Sequence, residues 1–247
     1  MANYFDEIID LDSLPIPLRV YVERRSNVRA SLGKDFVILR IPIFESTNLE
    51  KHISYTKNWL LRIHEQKPLA LSKYSVVKYD ENFTITILEQ FSFQINVHEE
   101  ERKNCVIKLD AKTNILNITL SNDLPSHERK VAIRTLLSRM FANKYKSYVW
   151  DRLQYWNQLH FHKSINNLTM KYNATNWGSC STKKNINIST RCLLLPHFVF
   201  DYILLHELSH LVEMNHSSKF WKVVESVFPD YKNAEAWITK NGPGLDF

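Results

Sequence analysis

The residues of this 247-residue chain whose types and spacing can do chemistry gather towards its C-terminal end, in the run His206-Glu207-Leu208-Ser209-His210. On an α-helix of about 3.6 residues per turn, two histidines four apart project from one face, a turn apart, so both imidazoles can grip a single ion. Glu207 lies about 100° round from His206, where its carboxylate can reach a water held by that ion and take its proton. Catalytic zinc usually takes three protein ligands and leaves a further position open. His216 leads for the third place, because a turn just past the helix can swing its ring back. Glu225 and Glu235, further along the chain, are the alternatives. The chemistry expected of this spacing is metal-assisted hydrolysis, with one Zn2+ per chain.

The elements that must position these groups can be read outwards from them. Phe198, Val199, Phe200, Tyr202, Ile203, Leu204, Leu205, Leu208, Leu211 and Val212 make the segment 196–216 apolar nearly all round, so a buried helix is expected there. In such a helix an ionised Glu207 needs a partner, which a metal and its water supply. Pro196 suits the helix start and Asn215 its end. Ser217 or Ser218 can cap the next helix, with Phe220, Trp221, Val224 and Phe228 as its stripe. A last helix over 231–240 should stop at Asn241-Gly242-Pro243. Ahead of the site, 165–172 and 185–192 read as strands around a loop, and 124–159 reads as a long helix with a break near Ser147.

The front of the chain reads differently. Pro15 and Pro17 argue for an extended or looped start, and 20–32 with 36–41 for a hairpin turning at Gly33. Thr47 and Glu50 have the form of a capping box for a helix over 47–65. The segments 74–79, 83–87, 91–97, 105–109 and 115–120 predict strands of an antiparallel sheet buried on one face. The fold expected is therefore α+β. A sheet-rich N-terminal region with one helix, 1–123, precedes the region 124–247 that carries the site, with the boundary in the turn 122–126.

Composition narrows the class. The chain is 44% hydrophobic and 23% charged, as folded proteins are. No apolar run approaches the roughly 20 residues needed to span a bilayer, and Asp6 and Glu7 stand where a secretory signal needs basic residues, so a cytoplasmic protein without membrane partners is expected. Cys105, Cys180 and Cys192 are too widely spaced for a disulfide framework or a four-cysteine zinc site. Cys180 is expected to pack rather than react, and His160 and His162 to be exposed. Four glycines leave no phosphate-cradling loop. The segment 129–163 holds eight Lys and Arg against Asp151 alone. A solvated helix face explains that block, and the rival reading of the whole chain is a nucleic-acid-associated protein that uses it, with a structural or latent metal site. Tyr231 and Arg191 are candidates for stabilising an oxyanion.

Trp177-Gly178-Ser179-Cys180, Pro196 ahead of Tyr202 to Leu211, Asn215-His216-Ser217, Phe220-Trp221 and Pro229-Asp230-Tyr231-Lys232 together resemble the YgjP-like metallopeptidase family, which is related to the SprT-like and other zincin metalloproteases. The match is strongest over 168–245 and extends more weakly to Val22-Glu23-Arg24-Arg25 and Lys57-Asn58-Trp59-Leu60. The resemblance implies a zincin-like C-terminal region, His206, His210 and His216 as zinc ligands, Glu207 as general acid and base, and a peptide or protein substrate. It also implies that 177–192 lies close to the metal. Asn176 stands where the family commonly has arginine.

Overall fold

The computed structural model describes residues 3–11, 14–33, 35–67, 69–72, 74 and 82–247. It divides the chain into two units, Met1–Tyr79 and Asp80–Phe247. The turn at 122–126, where a boundary was expected, lies inside the second unit and joins a strand to a long helix. The fold is α+β, with three sheets among the described residues.

In the first unit, strands β1 (Asn3–Leu11), β2 (Leu14–Glu23), β3 (Arg29–Leu32) and β4 (Val37–Pro42) form a sheet of order β1-β2-β4-β3. The hairpin expected at Gly33 is β3–β4, closed by the Gly33 N–H donating to the Phe36 carbonyl at 3.0 Å. The rest of that expectation is corrected. The segment 20–32 is two strands rather than one, β2 pairs with β4 in parallel, and the N-terminal residues are strand rather than loop. Pro15 and Pro17 are tolerated because β4 joins β2 only from Leu18 onwards, so that side of β2 asks no N–H of them. Alternate residues Ile16, Leu18 and Val20 of β2 and Val37, Leu39 and Ile41 of β4 are fully buried. Leu60 of α1 (Leu49–Gln66) and Leu71 of the short α2 (Leu69–Ser72) join their cluster. The capping box does not form: Asn48 is the N-cap residue of α1, no side chain bonds there, and a 3-10 turn, Ile43–Asn48, leads in. The strand expected over 74–79 falls outside the described residues except for Tyr74, which lies buried in a turn.

In the second unit, β5 (Phe83–Ile87), β6 (Phe91–Glu100), β7 (Val106–Asp110) and β8 (Ile115–Ser121) are the four strands expected, but the sheet is mixed. Its order is β5-β6-β8-β7, because the β7–β8 hairpin lays β8 alongside β6 in parallel. Helix α3 (Ser126–Trp156) runs unbroken past Ser147 and ends instead in a π turn, Asn157–Phe161. Every fourth residue from Ile133 through Leu137, Phe141, Tyr145 and Val149 to Leu153 is buried, which gives α3 a continuous apolar stripe. A second sheet, of order β10-β11-β9, is built from β9 (Asn167–Lys171), β10 (Gly178–Cys180) and β11 (Asn185–Ser189). Helices α4 (His197–Ser209), α5 (Ser218–Val227) and α6 (Tyr231–Asn241) complete the unit.

Helix α4 packs against α3, α5, α6 and β10, which explains why it is apolar on all sides. Its start is held from the β5–β6 turn. The Leu88 N–H donates to the Leu193 carbonyl at 2.7 Å, and the His197 N–H donates to the Glu89 carboxylate at 3.0 Å. A carboxylate at that end satisfies an otherwise orphaned amide and opposes the helix dipole. Both turn residues have left-handed backbones, φ 51° at Leu88 and 55° at Glu89, a strained choice for side chains of that size. Among the described residues no helix is long and apolar enough to cross a membrane.

Candidate metal centre

His206 of α4 and His210, the residue that caps its C-terminal end, share one face, with ring centroids 5.0 Å apart. The helix ends at Ser209, six residues before the expected stop at Asn215. Past it the backbone tightens, with the Leu211 N–H donating to the Leu208 carbonyl and the Val212 N–H to the Ser209 carbonyl, and His210 Nδ1 lies 3.2 Å from the Glu213 carbonyl. The chain then doubles back and delivers His216, whose ring centroid lies 5.0 Å from that of His206 and 4.7 Å from that of His210. Coordinating nitrogens of all three imidazoles lie within 4.8 Å of one another. Burial, then the neighbouring His210 and His216, push the pKa of His206 down to about 3. Burial also lowers that of His210. Neutral imidazoles keep the lone pairs that a metal needs.

One aromatic ring supports the cluster. Phe220 of α5 is fully buried, stacks on His210 at 4.5 Å and meets His206 and His216 edge-on at 4.9 and 4.8 Å. Ser217 caps α5 as expected, its Oγ accepting from the Phe220 N–H. Trp221 lies beyond, 6.0 Å from His206 and 5.9 Å from His216, and stacks on Tyr231 at 5.4 Å.

Glu207 is 4% exposed, and its carboxylate lies against Gly178 of β10. A methyl group built at Gly178 would sit 2.8 Å from both Cγ and Cδ of Glu207, closer than carbon atoms tolerate. The glycine is thus required for space and not for its backbone angles, which lie in the ordinary region. Glu207 Oε2 is buried and has no hydrogen-bond partner among the described residues. Burial pushes its carboxyl pKa up to about 8. The wall that brings Gly178 there is held by Arg191. That buried guanidinium donates to the carbonyls of Ala174, Gly242 and Leu245 at 2.8 to 2.9 Å and lies 4.2 Å from the Trp177 ring.

A cleft of about 520 Å³ opens over these groups, with Trp177, Gly178 and Cys180 on one side and Met214, Glu235 and Ile238 among its other lining residues. The remaining sequence candidates fall as follows. Glu225 is exposed and outside the histidine cluster. Glu235 lines the cleft and accepts from the Tyr202 hydroxyl at 3.3 Å. Arg191 is engaged with backbone carbonyls, the Tyr231 ring stacks on Trp221, and neither residue is among those that line the cleft. Cys180 is half-buried, and burial followed by the charge of Glu207 raises its thiol pKa to about 11, so it stays protonated. His160 and His162 are exposed at the end of α3. In the basic block, Arg129 pairs with Glu99, Arg134 with Asp246 and Arg152 with Asp201, ties internal to the second unit.

Sequence reasoning placed 177–192 near the metal by resemblance but gave Gly178 no role of its own, and it missed Phe220 as support and the Tyr202–Glu235 contact, which depend on contacts between separate helices.

A family model described as YgjP-like, metallopeptidase domain, matches residues 26–241. No curated protein matches the chain. Among solved structures, the metallopeptidase zymogen abylysin of Pyrococcus abyssi is 30% identical, over 37% of this chain and 93% of that one, with a TM-score of 0.34. The metallopeptidase zymogen jannalysin of Methanocaldococcus jannaschii is 24% identical over the same shares, with a TM-score of 0.33. With a match that takes in both units and the whole of the histidine cluster, the chain belongs to the YgjP-like metallopeptidase family.

Proposed function

We propose that the chain is a zinc-dependent peptidase in which His206, His210 and His216 hold one zinc ion and Glu207 moves the proton. The observation that carries this reading is the convergence of three imidazole nitrogens beside a buried carboxylate oxygen that has no hydrogen-bond partner among the described residues. The donor set fits a borderline divalent cation: three imidazole nitrogens, no thiolate among them, and a cleft on the open side. The Nε2 atoms of His206 and His216 lie 3.0 Å apart, a spacing that a shared cation makes favourable.

Bound there, zinc supplies Lewis acidity, which lowers the pKa of water and polarises a peptide carbonyl. The charge of a cation beside it would offset the burial that raises the Glu207 pKa and hold that carboxylate ionised, and Glu207 would then accept the proton of the attacking water at its unpartnered oxygen and return it to the leaving amine. Gly178 keeps that carboxylate in place, and Phe220 holds the imidazoles in theirs. Strand β10 ends its sheet, so its free edge along the cleft can pair with an extended peptide. The paired arginines of α3 lend no support to the nucleic-acid alternative.

The test is Glu207→Gln with an unfolded protein as substrate. Hydrolysis is expected to fall at least a hundredfold, the loss typical of a missing general base, while one zinc stays bound. Unchanged hydrolysis rejects the role of Glu207. His216→Ala is expected to lose the metal, and full retention removes it as the third ligand.

A further inference from the structure

Among the described residues a hydrogen-bonded chain reaches the metal centre along the wall of the cleft. Tyr202 stands one turn before His206 on α4 and is 3% exposed. Its hydroxyl donates to Glu235 Oε1 of α6 at 3.3 Å and lies 3.4 Å from His206 Nδ1. A phenol has a single proton, and an ionised carboxylate can only accept. With that proton directed to Glu235, the phenol oxygen is left as an acceptor towards His206, so the imidazole proton belongs on Nδ1. A neutral imidazole carries one N–H, and Nε2 keeps its lone pair. Nε2 faces His216 across 3.0 Å.

We propose that Tyr202 and Glu235 form a positioning relay that holds His206 as the Nδ1-protonated tautomer and thereby aims its Nε2 lone pair at the metal. The proposal rests on the reading of the three histidines as ligands. The arrangement at His210 supports it independently, since there a backbone carbonyl, that of Glu213, occupies the Nδ1 side at 3.2 Å. Two unrelated acceptors therefore impose the same tautomer on both helix histidines. The Tyr202 ring is itself fixed, 5.8 Å from the His206 ring centroid and 6.0 Å from that of Phe228. Glu235 bonds to Tyr202 and is not among the residues whose ligand atoms converge, which assigns it to the relay and not to the ligand set. Partners of this kind orient a ligand ring and raise its basicity.

The test uses Tyr202→Phe, which removes one oxygen and keeps the ring, together with Glu235→Leu and Glu235→Gln. In the metal-free full-length protein, ¹⁵N-histidine NMR is expected to report His206 as the Nδ1–H tautomer, and Tyr202→Phe to abolish that preference. Zinc affinity, measured by chelator competition, is expected to fall about 10- to 100-fold in Tyr202→Phe and Glu235→Leu. Glu235→Gln, whose amide oxygen still accepts, should stay near wild type. Wild-type tautomer and affinity in Tyr202→Phe overturn the relay and leave the metal site standing. Complete metal loss in Glu235→Gln makes Glu235 a ligand and overturns it as well. Undiminished zinc binding in His210→Ala rejects the ligand set, a failure distinguishable because the tautomer is read without metal.

Discussion

At Gly178 a single hydrogen atom faces the Glu207 side chain where any other residue would place a carbon. Gly178→Ala is accordingly expected to lower stability by about 1–3 kcal/mol, the usual cost of overpacking. It should also displace the carboxylate and slow hydrolysis on the order of a hundredfold. Zinc should remain, because no ligand is touched; thermal unfolding, metal content and rate check the three parts. A wild-type rate would mean that Glu207 is not confined from that side. His206, Glu207 and His210 were legible in the sequence because helix geometry alone relates them. Gly178 and Glu207 are 29 positions apart, and Tyr202 and Glu235 are 33 apart, so their contacts exist only once β10 and α6 have packed on α4.

Among the elements, the segment between α4 and α5 carries the one histidine of the cluster that lies outside α4 and its cap. His216 is exposed, and the backbone bonds from Leu211 to Ser217 are those of successive turns. On the proposed ligation by His216, zinc would tie the far end of this segment to α4, so stripping the metal with a chelator should speed amide hydrogen exchange over 211–217. Exchange in the buried body of α4 should change little. Equal protection with and without metal would mean that the loop is ordered by other contacts. Helices were largely legible, since their periodicity is local. The expected break in α3 at Ser147 was absent because Tyr148 and Val149 continue the packing: the Tyr148 ring lies 6.5 Å from that of Phe200, and Val149 is fully buried. Strand pairing was less legible. Alternation marks a strand's buried face but not its neighbour, and the parallel pairs β2–β4, β6–β8 and β9–β11 each join strands that are not consecutive.

For the molecule as a whole, the two units differ in what they contain. The first has a core of its own, running from Ile9 to Tyr74, and the second holds the histidine cluster, the cleft and the glutamate. Residues 80–247 produced alone should therefore unfold cooperatively and bind one zinc. A chain that lacks near-ultraviolet circular dichroism and fails to hold metal would show that the first unit is needed for folding. The α+β class was legible from the order of strand and helix patterns. The division at 79/80 was not, because the turn at 122–126 has the local chemistry of a boundary while α3 packs against β7 and β8 on one side of it and against β9 and α4 on the other.

The placement of Trp221 beside two of the three imidazoles has a consequence for observation. An open-shell ion such as Co2+ seated among them would lie close enough to this indole to quench its emission. Occupancy of the centre can then be followed by the protein's own fluorescence, without label or substrate.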